Sequence, residues 1–372
     1  MFKWIGKIKQ LFKKKQAPIS TITNGDSDAV YVDLGASSIK MSYKGEFITF
    51  RSSVRQATDE EVTFQENKIL VDGKWYIIGE SATPTGNYKF KYMKENLHVL
   101  VLYGLQLLEF EQDEAQLHVL LPYNELGTTQ ELKLKLAKTY QLHDTRVKLQ
   151  VVKVYVEGES SKHYISQKLK LKGKNVCVVN IGYSTTDIAL FSSRGYREKM
   201  VSLSMGTNAI MSELVGHTQA PTSSILNSWL VDGYKFTKDE QLQVSGVTSR
   251  FLSMIKCDLE STVFKVANPQ NLVIVWCGGG SQLLQGEIDK VFKGYSCKVL
   301  DVEDSIYTDL KGMIELHNPA TDDEKVLTKE EREQKIIELK GQGYKSKEVA
   351  QMLGCSESTV NNFMTRYNKR VS

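Results

Sequence analysis

The sequence predicts an α/β body followed by a small all-helical domain, and three observations lead there. Strand-like and helical runs alternate from Ala29 to about Ile314. Within that stretch two short glycine hairpins, about half a domain apart, each read as strand, tight polar turn, strand. Beyond it, three short helical runs hold a small residue, a glycine and a branched apolar residue at helix-turn-helix spacing.

At the N-terminus, residues 1–15 contain six lysines and no acid. Trp4, Ile5, Ile8, Leu11 and Phe12, with Phe2 before them, fall in one arc at helical spacing, while Lys3, Lys7, Lys13 and Lys14 take the opposite face. An acid-free amphipathic helix with aromatic residues suits an interfacial membrane anchor. A basic arm for DNA or a partner groove, or a disordered tail, are the competing readings. Residues 16–28, with Pro18, Asn24, Gly25 and Asp26, read as a polar linker.

Composition sets further bounds. The 372 residues suffice for two domains with appendages, and the formal charge of +4 conceals an asymmetry. From Thr328 onward nine bases face six acids, so two basic ends flank an acidic body. The five cysteines form no Cys-x-x-Cys pair and the six histidines no zinc spacing, which argues against disulfides and zinc and fits a reducing cytoplasm. No apolar run reaches eighteen residues and no signal-peptide pattern is present, so the expected location is cytoplasmic, with a peripheral place at the inner face of the membrane if the first helix binds lipid.

The body (29–317) is read as two lobes, about 29–155 and 156–317. Its strand candidates are Trp75–Ile78, Leu117–Leu121, Val147–Val156, Val176–Val179 and Asn271–Trp276, and its helical ones Leu97–Phe110, Thr128–Tyr140 and Gly246–Phe264. The first hairpin is Asp33-Leu34-Gly35-Ala36-Ser37-Ser38-Ile39-Lys40, after the strand Ala29–Val32. The second is Asn180-Ile181-Gly182-Tyr183-Ser184-Thr185-Thr186-Asp187, after Val176–Val179. Backbone amides and small hydroxyls at both turns could converge on one row of phosphates.

Three more segments support that reading. Cys277-Gly278-Gly279-Gly280-Ser281 follows an apolar strand and opens a helix, and consecutive glycines let backbone approach a flat base or ribose. Val156-Glu157-Gly158-Glu159-Ser160 sets acids just after a strand end, suited to polarising a water near a terminal phosphate. Met205-Gly206-Thr207-Asn208 precedes a helical run and could offer helix-terminal amides to a nucleotide.

In this order the set resembles the actin, heat-shock-protein-70 and sugar-kinase ATPase superfamily, and within it bacterial ParM-type plasmid-segregation actins. A late segment, Tyr307-Thr308-Asp309-Leu310-Lys311-Gly312, is similar to the start of that family's final helix. The resemblance covers about Ala29 to Ile314. It implies an actin-like fold of two duplicated ribonuclease-H-like lobes, binding ATP or GTP with Mg2+ and assembling with copies of itself.

Residue by residue, the resemblance implies that Asp33 binds the magnesium shell, that Gly35, Ala36, Ser37 and Ser38 wrap the phosphates and that Lys40 reaches them. Gly182, Ser184, Thr185 and Asp187 would form the opposing hairpin, Gly206 and Asn208 would add nucleotide contacts, and Gly278, Gly279 and Gly280 would floor the adenosine. Glu157 best matches the water-positioning acid, although Val156 stands where a proline usually precedes it, and Glu159 is a second candidate. Asn180 departs from the pattern, since the family has a carboxylate there that holds the magnesium hydration shell. The amide keeps one acceptor oxygen but loses the charge, so metal affinity and ATP hydrolysis should weaken more than nucleotide binding. On this reading Asn180→Asp should raise hydrolysis.

After a linker at 318–327, residues 328–372 give helical runs at Lys329–Lys340, Ser346–Leu353 and Glu357–Asn368. Ala350, Gly354 and Val360 carry the motif spacing, and the tail resembles the helix-turn-helix of resolvases and sigma-type regulators. Ser356 would cap the third helix. Ser356, Glu357, Ser358, Asn361 and Asn362 would then meet base edges of double-stranded DNA. Arg366, with Lys369 and Arg370, suits phosphates. A helical protein-interaction module is the alternative.

Three functional classes follow. The leading one is an actin-like, nucleotide-dependent filament that segregates or positions plasmid or phage DNA through its own helix-turn-helix, with or without a separate partition adaptor. The others are a ligand-sensing regulator similar to the ROK repressors, which usually place the DNA-binding motif first and carry zinc, and a membrane-tethered scaffold of cell shape or division.

Overall fold

Fully buried strand residues fix the centre of each sheet. The computed structural model describes residues 28–79, 90–171, 173–217, 237–317, 329–341, 344–352, 360–365 and 367. The N-terminal segment with Phe2, Trp4, Ile5, Ile8, Leu11 and Phe12 lies outside them, as does the linker at 318–327. The chain divides near residue 318 into two compact units.

The first unit opens with β1 (Ala29–Leu34), β2 (Ser38–Tyr43), β3 (Glu46–Arg51), β4 (Val54–Ala57), the short α1 (Asp59–Val62), β5 (Lys68–Val71), β6 (Lys74–Ile78) and α2 (Leu97–Leu107). It continues with β7 (Glu114–Leu121), α3 (Thr129–Leu136), β8 (Thr139–Leu142), β9 (Thr145–Val156) and α4 (Glu159–Lys168). These strands form one sheet in the order β3-β2-β1-β7-β9-β8-β5-β6-β4. Next come β10 (Asn175–Ile181), β11 (Thr186–Phe191), β12 (Arg197–Leu203), α5 (Thr207–Val215), α6 (Lys238–Thr262), β13 (Leu272–Cys277), α7 (Gly279–Val291), β14 (Ser296–Val299) and α8 (Val302–His317). Their sheet has the order β12-β11-β10-β13-β14.

The two sheets repeat one plan. In the first, β1 pairs antiparallel with β2 and parallel with β7, which runs parallel to β9. In the second, β10 pairs antiparallel with β11 and parallel with β13, which runs parallel to β14. Parallel strands buried on both faces require helices on both sides. On one face of the first sheet lies a core that includes Leu100 and Leu105 of α2 and Leu132 of α3, and on one face of the second lies a core built by α5, α6 and α7.

The opposite faces are covered by exchange. Helix α4 follows the first sheet but buries Ile165 against Val176, Val178 and Phe191 of the second. Helix α8 follows the second sheet but buries Tyr307, Leu310 and Met313 against Ala29, Tyr31 and Leu120 of the first. The two helices pack on each other where Gly312 meets Ser160; a Cβ at Gly312 would lie 1.8 Å from the Ser160 carbonyl oxygen. Only glycine permits that approach.

Several boundaries differ from the sequence expectation for local reasons. The helix expected over Thr128–Tyr140 stops at Leu136, because Thr139–Leu142 alternates exposed and buried residues and pairs with β9. Helix α6 starts eight residues before Gly246, at a capping box between Thr237 and Glu240. Among the described residues no helix is long and apolar enough to cross a membrane.

The second unit contains α9 (Lys329–Gly341), α10 (Ser346–Met352) and helical residues at 360–365. Ile336, Leu339, Val349, Ala350 and Val360 form its core, with Phe363 and Met364 packed against them. The motif positions Ala350 and Val360 are thus both buried, as close helix packing requires.

Candidate functional site

Chain topology brings the polar turns to one place. Parallel strands β1, β9, β10 and β13 end at the first hairpin, at Glu157, at the second hairpin and at Gly278, and ligands of such sheets gather at these carboxyl ends.

Asp33, next to last in β1, pairs in register with Lys40 across the hairpin. Lys40 Nζ donates to Asp33 Oδ2 at 2.8 Å, and Lys91 Nζ lies 3.3 Å from Oδ1. The carbonyls of the turn are taken up by neighbours: Lys94 Nζ donates to Gly35 O at 3.1 Å, Ser52 Oγ to Ala36 O, and Ser52 N to Ser37 O at 3.1 Å. A Cβ on Gly35 would sit 2.5 Å from Ser38 O, so the turn closes only on glycine. Despite its burial, the two lysines beside Asp33 hold its carboxyl well below the usual range.

Glu157 and Glu159 separate clearly. Glu157 is buried and ion-paired with Lys91, whereas Glu159 is only partly buried and bonded to Arg197 at 2.8 Å. Burial pushes the Glu157 carboxyl up; Lys91 opposes this, and Asp187, Asp33 and Asp309 reinforce it. Lys91 Nζ therefore bridges Asp33 and Glu157, and it also reaches Leu120 O at 3.4 Å.

In the second hairpin Asn180 pairs in register with Asp187, and Gly182 N donates to Thr185 O at 2.9 Å. Thr185 Oγ1 donates to Asp187 Oδ2 at 3.2 Å, while Oδ1 is buried without a hydrogen-bond partner. Burial pushes the Asp187 carboxyl up, with the Ser202 hydroxyl beside it pulling the other way. Ser184 lies half-buried in the turn.

The segment at Gly206–Asn208 does something other than present its amides to a ligand. Thr207 N and Asn208 N donate to Gly182 O and Tyr183 O at 3.0 and 2.9 Å, so the start of α5 braces the second hairpin. Gly206 is required for this, since a Cβ would lie 2.4 Å from Tyr183 O. The three glycines after β13 also divide. Cβ atoms at Gly278 and Gly280 would strike Asn180 Oδ1 and Ile181 Cγ2, each at 2.3 Å, but Gly279 is exposed with nothing within 4 Å. Gly279 alone of the three is open to a ligand.

Three cleft residues carry no sequence signal that assigns them: Lys91, Lys94 and Asp309. Burial lowers Lys94 to about 8, and Lys91 beside it acts in the same direction. Asp309 sits inside the late segment singled out above, but its acid is legible as part of the cleft only once α8 is seen to return to the first sheet.

A divalent cation fits this donor set. Four buried carboxylates (Asp33, Glu157, Asp187 and Asp309) gather here with the half-buried Lys40 and Lys91, which pair with Asp33 and Glu157, and Asp187 Oδ1 is orphaned. Among the described residues no group of three His, Cys, Asp or Glu side chains can hold a metal directly. The fit is therefore to Mg2+ held through water and phosphate oxygens, as that ion prefers.

In the C-terminal unit, Asn361 and Asn362 are exposed while Val360 faces the core. Ser356, Glu357, Ser358, Gly354 and Arg366 lie outside the described residues.

Residues 32–163 match the family described as actin-like proteins, N-terminal domain, and residues 327–371 match the homeodomain-like domain. The actin-like protein Alp7A superimposes with a TM-score of 0.61 at 15% identity, covering 78% of this chain and 95% of that one. A subunit of a 15-stranded ParM filament from Clostridium botulinum gives 0.61 at 15% identity, covering 78% and 99%. The archaeal actin homologue Ta0583, in complex with ADP, gives 0.58 at 16%, covering 77% and 98%. No curated protein sequence matches the chain. The body thus has an actin-like α/β fold with an actin-like N-terminal domain, and the C-terminal unit is a homeodomain-like helical domain.

Proposed function

We propose that this chain is a nucleotide-dependent, filament-forming segregation protein that holds double-stranded DNA with its own C-terminal domain. The observation that carries the reading is the buried acid and lysine cluster where the carboxyl ends of two duplicated sheets meet, on a chain that also bears a homeodomain-like domain. Among its structural neighbours are a filament and a complex with ADP.

In this reading the hairpins at Gly35–Ser38 and Gly182–Thr185 bind the phosphates of ATP or GTP, and Gly279 borders the nucleoside. Mg2+, held through water by Asp33 and Asn180, would neutralise phosphate charge. Lys91 orients Asp33 and Glu157 with one cation, and Glu157 orients the attacking water. Closure of the cleft on nucleotide favours the polymer. Each subunit then presents one DNA-binding head, and many weak heads along a filament hold DNA with avidity and without a separate adaptor. The lysine-rich N-terminal segment tethers the polymer to the inner membrane surface.

Sedimentation of the full chain with Mg–ATP or Mg–GTP, with and without double-stranded DNA, tests this. Nucleotide should drive the protein into the pellet and DNA should follow it. Failure to sediment at high concentration with any nucleotide would sink the filament reading.

A further inference from the structure

Besides Glu157, one buried acid of the cleft belongs to neither hairpin. Asp309, midway along α8, accepts through Oδ1 from Gly158 N at 2.9 Å, Ser161 N at 3.2 Å and Ser161 Oγ at 2.5 Å. Its Oδ2 accepts from Asn180 Nδ2 at 2.8 Å. One carboxylate therefore holds the amino end of α4, immediately after Glu157, and the strand end of the second hairpin. The other end of the Asn180 amide is fixed too, because its Oδ1 lies against the Cα face of Gly278, where a Cβ would approach to 2.3 Å.

The amide at 180 and the acid at 309 are complementary. A carboxylate at 180 would set two acids within hydrogen-bond distance in a place removed from water, where both cannot ionise and one must take up a proton. An amide at 309 would leave two amides with neither charge. Unlike Asp33 and Glu157, which pair with lysines, Asp309 has only neutral hydrogen-bond donors; burial pushes its carboxyl up, and the bonds from Ser161 and Gly158, with Lys40 nearby, oppose that push.

We propose that Asp309 is a positioning residue for the magnesium–nucleotide complex: it supplies from α8 the negative charge that Asn180 does not carry and, through the Asn180 amide, locks the second hairpin to the Glu157 turn. This rests on the nucleotide-binding reading above. It also reverses the expectation for Asn180→Asp, which adds a charge against Asp309 and should impair the site.

The test compares the full chain with Asp309→Asn, Asn180→Asp and the double exchange. In the double exchange the new carboxylate accepts from the new amide, whose oxygen still meets Gly158 and Ser161. Two quantities are read: the affinity for ATP with and without Mg2+, and the melting temperature of the unliganded protein. In the wild type Mg2+ should tighten ATP binding about tenfold or more, the scale of one charge-assisted bond. Asp309→Asn should reduce that gain below about threefold, and Asn180→Asp should lower the melting temperature. The double exchange should recover both, since coupled partners do not add.

A purely structural Asp309 would lower the melting temperature of its variant and leave the Mg2+ gain intact, and that result overturns the proposal alone. A wild type that binds no nucleotide overturns it together with the nucleotide reading. If Asp309→Asn does not fold, the double exchange decides: a folded exchanged pair without the Mg2+ gain overturns the proposal.

Discussion

Lys91 sets the balance of charge in the cleft. It reaches Asp33 across 58 residues of sequence and Glu157 across 66; with Lys40 it holds the Asp33 carboxyl low, and at Glu157 it opposes the upward push of burial. Replacing it by Met removes the cation paired with buried Glu157 and leaves Asp33 with Lys40 alone. We expect Lys91→Met to lose ~3–5 kcal/mol of unliganded stability, read by denaturant titration. An unchanged midpoint would mean that Lys91 is dispensable to the cluster. The hairpin positions were legible in the sequence because strand, glycine and hydroxyl residues adjoin along the chain. Lys91, Lys94 and Asp309 were not, since each reaches the cleft through residues far off in sequence, as in the 148 residues between Ser161 and Asp309.

At the scale of elements, the exchange of α4 and α8 ties the two sheets together. Gly312 is its closest point, where a methyl group would overlap backbone rather than a flexible side chain. Gly312→Ala should therefore cost ~1–3 kcal/mol, read as a lower denaturation midpoint, and it should weaken nucleotide binding because Asp309 moves with α8. A variant as stable as wild type would show that the helices part without cost. The alternation of strands and helices could be read from apolar periodicity, but the exchange could not. Periodicity tells which face of α8 is apolar, with Tyr307, Leu310 and Ile314 on it, but not which sheet that face covers. Short amphipathic segments also remained ambiguous, and Thr139–Leu142 joined a sheet because β9 offered it a partner.

For the whole molecule, duplication explains why two hairpins exist and why three acids at strand ends and one on a helix meet. The repeated sheet plan places each hairpin at an equivalent corner, and the exchanged helices complete the site between them. A homeodomain-like helical domain follows that body as a compact unit of its own. The measurement that bears most directly on the account is electron microscopy of the purified full chain with Mg–ATP, beside the same protein without nucleotide. Filaments with nucleotide and none without it are predicted. Dispersed particles in both, at concentrations well above those of the sedimentation test, would contradict it.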